Sequence, residues 1–220
     1  MLDHVKRDAL GDSTAALETR LKHDVHRVAT SLLAGAAARP AVPLTALAQL
    51  RDFVVLNLRH HHEWEEHALW PCILTAAPDA LQRLDRLCNE HRQLEDALAH
   101  LASLALTESD VPEDAARAQL KGVAREVRNI VLIHLDNEES LLIPALRNHI
   151  SPEAWADISQ QVIATTPPTA GHLMIGFLDE VGTPAEAEVV LARLPEPVRS
   201  MLPAMRRQAS EDLSVLRDGS

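Results

Sequence analysis

The chain has 220 residues, of which 46% are hydrophobic and only 2% aromatic, and its formal net charge is −11. This acidity argues against nucleic acid and against anionic membrane surfaces as partners, because binding to phosphate groups requires a basic face. With no tyrosine and only 7 glycines, alanine and leucine must do most of the packing, which favours helices. The composition therefore predicts an all-α protein with a substantial core.

Helix start and stop signals divide most of the chain into four long helices. They are predicted over residues 13–37, 44–70, 78–106 and 112–150. Pro71 is expected to stop the second helix, and Pro144 to interrupt or kink the fourth. Long helices joined by short loops predict an up-down-up-down four-helix bundle.

The remaining segment, residues 151–220, differs from the bundle in its proline content. Ser151 as N-cap and Pro152 at the first helical position give a clear new start. Only short helices are expected there, because prolines stand at six further positions: Pro167, Pro168, Pro184, Pro195, Pro197 and Pro203. We therefore predict a bundle domain over 13–150 and a C-terminal helical extension over 151–220. The extension is expected to pack on the bundle or on a second copy, as in a homodimer.

Three features bear on the location of the protein. The first residues, MLDHVKRDALGDS, contain no apolar stretch before a cleavage site, so no signal peptide is predicted. No run approaches the roughly 20 apolar residues of a membrane span. Cys72 and Cys88 are expected to be buried free thiols rather than a disulfide. Together these features predict a cytoplasmic protein.

One motif occurs twice in the chain. HHEWEEHALWP begins at His61 and HLDNEESLLIP begins at His134. Both contain histidine, then three residues, then two glutamates, with leucine at the ninth position and proline at the eleventh. A single His-x-x-x-Glu is weak support for a metal site, since such pairs also occur on ordinary exposed helices. Two copies that share a terminal proline indicate a duplicated site.

The apolar periodicity places both copies in the predicted core. In the second helix the apolar stripe leads to His61, Glu65 and Leu69; in the fourth it leads to His134, Glu138 and Leu142. Burying an unpaired carboxylate is costly, and no lysine or arginine lies on these stripes in the same turns. A bound metal is therefore the best compensating charge.

The other two helices each add a histidine. The stripe of the third helix passes through His91, and the first helix carries His23 and His26 one turn apart. We prefer His26 as the ligand and keep His23 as the alternative. We therefore expect a site on a pseudo-two-fold axis. These two helices would each contribute one histidine, and the other two helices would each contribute a His-x-x-x-Glu.

The ligand types narrow the choice of metal. Imidazole with carboxylate favours iron, and zinc, manganese or copper less so. Two carboxylates on facing helices can bridge two ions. The ferritin-like scheme is excluded, because it requires Glu-x-x-His and none of the 12 histidines has a glutamate three residues before it.

These residues resemble the hemerythrin-like, or HHE cation-binding, domain family over roughly residues 13–150. The resemblance implies two non-haem iron ions inside the bundle, with zinc or manganese as substitutes. Glu65 and Glu138 are implied as bridging ligands, and the implied terminal ligands are His26, His61, His91 and His134.

The chain departs from the respiratory hemerythrins at two places. Those proteins have a second histidine one turn after the ligand of the third helix, where this chain has Glu95. His62 is expected to supply the fifth imidazole instead. In those proteins the spacing between the last carboxylate ligand and its histidine would select Glu139. We prefer Glu138, because it matches Glu65 in the repeat. His60 and His67 fall off the apolar stripe and are expected to be solvated.

Two functional hypotheses follow from the resemblance. The first is binding of O2, or of NO or peroxide, for sensing, storage or scavenging. The second is a di-iron oxidase, oxygenase or peroxidase acting on a small molecule, because nearby carboxylates could relay protons and the extension could form a substrate pocket. A purely structural bundle is the third alternative, and the buried carboxylates argue against it.

Overall fold

The computed structural model describes residues 13–107 and 111–219, which form helices and no strand. Residues 1–12, in which no signal peptide was predicted, lie outside the described residues. Residues 108–110, within the predicted turn before the fourth helix, lie outside them as well. In the part of the chain that is described, no helix has the length and apolar character needed to cross a membrane.

The predicted four-helix bundle is confirmed. Its elements are α1 (Thr14–Ala36), α2 (Leu44–Trp64), a π-helical turn (Glu65–Leu69), α3 (Trp70–Ala76), a 3-10 turn (Pro78–Ala80), α4 (Leu81–Ser103) and α5 (Glu113–His149). Helix α1 packs against α2 and α5, and α4 packs against the same two helices, so the four long helices form a ring. Ser13 caps α1 as expected, because its hydroxyl oxygen accepts the Ala16 N–H at 3.2 Å.

Neither Pro71 nor Pro144 ends a helix. The prediction that Pro71 stops the second helix is wrong: the π turn directly before it leads into α3, and the Trp70 N–H bonds to the Glu65 carbonyl five residues back. A proline ring crowds the carbonyl four residues before it in an α-helix, and the wider turn relieves that crowding. Pro144 lies inside α5, where buried neighbours such as Leu142 and Leu146 hold the helix in the core.

The bundle core has two apolar parts with the candidate ligands between them. One part contains Phe53, Leu58, Leu98 and Leu120. The other contains Leu69, Trp70, Leu84, Leu142 and Leu146. Along α2 and α4 the buried histidines and glutamates stand between residues of these two parts, and along α1 and α5 they lie close to the point where one part gives way to the other. The polar centre is therefore sealed above and below by close-packed side chains.

The C-terminal extension covers the bundle on the side of α1. It consists of α6 (Pro152–Thr165), α7 (Gly171–Val181), α8 (Pro184–Leu191) and α9 (Glu196–Asp218), each of which contacts α1. Ser151 caps α6 as predicted, accepting the Ala154 N–H at 3.2 Å. Helix α9 is longer than expected, with 23 residues that run through Pro203. The homodimer contact predicted for this extension stays a prediction.

A buried glutamate joins the extension to the bundle. Glu18 of α1 accepts hydrogen bonds from Trp155 Nε1 at 2.9 Å, Ser159 Oγ at 3.3 Å and Arg193 Nε at 2.6 Å. Phe177 of α7 adds an apolar contact, with its ring centroid 5.6 Å from that of Phe53. Helices α7 and α9 also approach closely, since a Cβ on Gly176 would lie 2.7 Å from the Ala209 Cβ.

The two cysteines are free, as expected, but the prediction that they are buried is wrong. Cys72 is exposed and Cys88 is only partly buried. Cys72 lies in α3, where its neighbour Ile73 enters the core instead.

Candidate metal centre

Buried histidines and glutamates meet inside the bundle in two groups among the described residues. The three-histidine group consists of His62, His91 and His134. The mixed group consists of His23, His61, Glu65 and Glu138. Within each group the potential ligand atoms lie within 4.8 Å of one another, which is the spacing a shared metal ion requires. All seven residues are buried.

Two carboxylates stand between the groups. Glu65 Oε1 lies 3.2 Å from His61 Nε2, and its Oε2 lies 3.7 Å from His91 Nε2. Glu138 Oε2 lies 3.6 Å from His23 Nε2 and 3.5 Å from His134 Nε2. Each carboxylate therefore faces one histidine of each group, the arrangement that bridging ligands need.

The atoms that face the centre have no hydrogen-bond partners among the described residues. They are the Nε2 atoms of His23, His61, His62, His91 and His134 and both carboxylate oxygens of Glu65 and Glu138. Leaving so many buried polar atoms without hydrogen bonds is unfavourable, and native structures contain few of them. Imidazole nitrogen and carboxylate oxygen are ligands that iron and zinc accept. The residues present therefore fit a metal-binding role.

Protonation in the metal-free centre is divided between the two glutamates. Burial raises the pKa of Glu65 well above its ordinary value, and the neighbouring charge of Glu138 adds to this effect. Burial acts in the same direction on Glu138, but the imidazoles of His23 and His134 outweigh it and lower the pKa of that carboxyl. Burial lowers the pKa of His61 to about 3, so this ring is neutral and able to coordinate.

Carboxylates outside the groups orient three of the histidines. His91 Nδ1 donates to Glu66 Oε1 at 2.8 Å, and His134 Nδ1 donates to Glu90 Oε2 at 3.0 Å. A proton on Nδ1 leaves the Nε2 lone pair free toward the centre, and the same bonds hold the rings in place.

His23 is oriented in the same way by the second glutamate of the repeat in α5. Its Nδ1 donates to Glu139 Oε1 at 3.1 Å, and the same oxygen accepts from Arg27 Nη1 at 2.6 Å. Burial alone would raise the pKa of Glu139, but these two bonds lower it to about 2. Glu139 therefore stays ionised as the partner of His23.

The structure brings together six of the seven residues predicted as ligands. His26 belongs to neither group, although it is buried and its ring centroid lies 5.0 Å from that of His61. His23, the alternative that the sequence left open, stands in its place. Glu138 is fully buried between the groups, whereas Glu139 lies beside His23.

Other polar residues near the motifs lie outside both groups. His60 Nε2 lies 2.9 Å from Thr165 Oγ1 of α6, and His67 is exposed and bonds to the Glu63 carbonyl. Glu95 pairs with Arg59 at the surface. Sequence reasoning missed Glu66 and Glu90 as partners of histidines, although the repeated Glu-Glu pair was a signal for the former.

Aromatic packing closes one side of the three-histidine group. The His62 and His91 rings stack with centroids 4.0 Å apart, and Trp70 stacks on the other side of His91 at 4.8 Å. The π turn delivers Trp70 to this position, and such turns are frequent at functional sites.

Comparison with known proteins agrees with this geometry. The family model described as the hemerythrin HHE cation binding domain matches residues 17–149, which include every member of both groups. No curated protein and no solved structure matches the chain significantly. The match covers more than half of the chain and ends at the last residue of α5. The chain therefore belongs to the hemerythrin HHE cation-binding domain family.

Proposed function

We propose that this protein holds two iron ions in the bundle and binds O2 there, for sensing, storage or scavenging, with NO or peroxide as related ligands. His23 and His61 would hold one ion, and His62, His91 and His134 the other. Glu65 and Glu138 would be shared between the two. This set takes His23 in place of His26.

One observation carries the proposal: five imidazole nitrogens and four carboxylate oxygens, all buried and without hydrogen bonds, converge in one place. These seven side chains would hold two iron ions and leave room for an external ligand. A pair of ferrous ions held there would supply the two electrons that reversible O2 binding needs.

The chain's own residues determine which chemistry is favoured. Leu69 and Leu135 are fully buried, and Trp70 covers His91, so water is excluded from much of the centre. Carboxylates accept hydrogen bonds from the Nδ1–H groups of His23, His91 and His134. Few proton donors face the centre, and this favours ligand binding over cleavage of the O–O bond.

A second candidate function is a di-iron oxidoreductase acting on a small molecule. One observation favours it: Lys22 stands close enough to Glu65 for the two charges to interact, and both residues line a cavity between the bundle and the extension. An ammonium group at this position could donate a proton.

The test is spectroscopic. The protein is loaded with iron, analysed for metal, reduced without air and then exposed to O2. Near-UV and visible bands that appear with O2 and vanish when it is removed support the binding function. Irreversible bleaching to a ferric spectrum, with consumption of an added substrate, supports the enzyme. A protein that takes up no iron contradicts both.

We also propose the division of the chain at residue 150 and a cytoplasmic location. The family match ends at residue 149 and the N-cap of α6 is Ser151, which supports the division. Limited proteolysis between α5 and α6 tests it, and cell fractionation tests the location.

A further inference from the structure

A cavity of about 120 Å³ lies between the metal centre and the C-terminal extension. Its walls come from α1, α2, the π turn, α6, α7 and α8 and the segment after α8. His61 and Glu65 of the mixed group form part of its wall. We call this cavity the chamber. It is built jointly by the bundle and the extension, so the family match alone does not account for it.

Most of the chamber wall is apolar. It includes Leu21, Trp64, Val162, Ile175, Leu178 and Val190. An apolar cavity of about 150 Å³ in another protein stays dry and binds benzene, so a chamber of this size and lining suits a ligand of six or so heavy atoms. Water alone would find few partners on such a wall.

Four charged side chains lie in the wall: Glu18 and Glu65 are acidic, and Lys22 and Arg193 are basic. Arg193 is bound to Glu18 at 2.6 Å, so these two charges are paired with each other. Glu65 belongs to the mixed group of the metal centre. An ion would lose its hydration on entering a cavity with a mostly apolar wall, so we expect an uncharged ligand.

We propose that the chamber binds a small, uncharged, largely apolar molecule about the size of a benzene ring, directly beside the metal centre. A role for that molecule as a substrate rests on the second function proposed above. Binding itself does not, because the chamber is formed by the chain's own side chains.

Calorimetric titration tests the proposal on the full-length, iron-loaded protein without air. Benzene is the probe, and benzoate is the charged probe with the same ring. We expect saturable benzene binding and at least tenfold weaker binding of benzoate. Absence of benzene binding, or benzoate binding as tight as that of benzene, overturns the proposal.

Two matched substitutions locate the bound probe. Val190→Phe fills part of the chamber and is expected to weaken benzene binding at least tenfold. Val198→Phe, at a partly buried position of α9 that does not line the chamber, should change it less than twofold. If Val190→Phe fails to fold by circular dichroism, Leu194→Phe replaces it. Equal affinity in the chamber-filling variant and the control contradicts the location.

The same preparation separates the two proposals. Its spectrum on exposure to O2 is recorded before and after benzene is added, and a shift of the bands is expected because His61 forms part of the wall. Benzene binding without any O2-dependent band refutes the O2-binding function and leaves the chamber. O2-dependent bands without benzene binding refute the chamber alone.

Discussion

In the two copies of the repeated motif, equivalent residues make equivalent contacts. In the first copy Glu65 faces its own His61 and also His91 of α4; in the second, Glu138 faces its own His134 and also His23 of α1. The following glutamate of each pair accepts from the second of these histidines: Glu66 from His91 and Glu139 from His23. The shared residues therefore generate a centre with approximate two-fold symmetry.

The copies differ in three respects. The first contains the π turn, whereas the second continues as a regular helix through Pro144. His62 in the first corresponds to Leu135 in the second. His134 Nδ1 is bound to Glu90, while His61 Nδ1 has no partner among the described residues. The symmetric positions supply the two carboxylates that face both groups, and His62 gives the three-histidine group its third imidazole.

The most damaging change should be loss of a bridging carboxylate. Glu138→Gln keeps the shape but removes a charge that faces both groups, so we expect metal affinity to fall more than 100-fold at both positions. Elemental analysis after dialysis measures this. Glu95→Gln, at an exposed surface pair, is the control and should retain full metal. Two equivalents bound to Glu138→Gln would contradict the bridging role.

Acid should destabilise the metal-free protein through its buried histidines. Burial lowers the pKa of His26, His61, His62 and His91, to about 3 for His61. As the pH falls through about 6.5, the unfolded chain gains protons that the folded chain does not, and each group costs up to about 1.4 kcal/mol per pH unit. The raised pKa of Glu65 opposes this trend, but it is one group against four.

Denaturant titrations of the metal-free protein between pH 7 and pH 5 measure this slope. His26→Gln should reduce it, whereas His67→Gln, at an exposed position, should leave it unchanged. A free energy of unfolding that stays constant over this range would show that the histidines are not held neutral.

One of the three differences between the copies can be removed by a single substitution. His62→Leu gives the first copy the residue found at the equivalent position of the second. We expect the three-histidine group to bind its ion 10- to 100-fold more weakly while the mixed group keeps its own. Metal titration should then show two affinities. His60→Leu, which changes a neighbouring histidine outside both groups, should leave the titration unchanged.

The smallest effect is expected at an orienting carboxylate. Glu139→Gln weakens the hydrogen bond that holds His23. Loss of such an orienting partner reduces metal affinity by about 10- to 100-fold. We expect the lower end of this range, because Gln can still accept the Nδ1–H. Competition with a chelator measures the change. Glu95→Gln again serves as the control, and equal affinities for the two variants would argue against an orienting role.

The bundle was predictable because each part of its pattern is local. Apolar stripes, the N-caps Ser13 and Ser151 and the short loops all act within a few residues. The continuation of the helix through Pro71 was not predictable, because no sequence pattern marks a π turn as clearly as a proline marks the end of a helix.

The choice between His23 and His26 could not be made from the sequence for a related reason. Both lie on the buried side of α1, one turn apart, and both are buried. What distinguishes them is Glu139, which lies 116 residues further along the chain. The chamber needed tertiary information in the same way, since its walls come from several separate helices.

The π turn fixes the helical phase of everything that follows it. Five residues of regular α-helix rotate the chain by about 500°, which would leave Trp70 about 140° away from Glu65. The bond from the Trp70 N–H to the Glu65 carbonyl absorbs much of that rotation. Deleting one residue from this segment after Glu65 should restore the ordinary phase and uncover His91, while every candidate ligand remained in the chain.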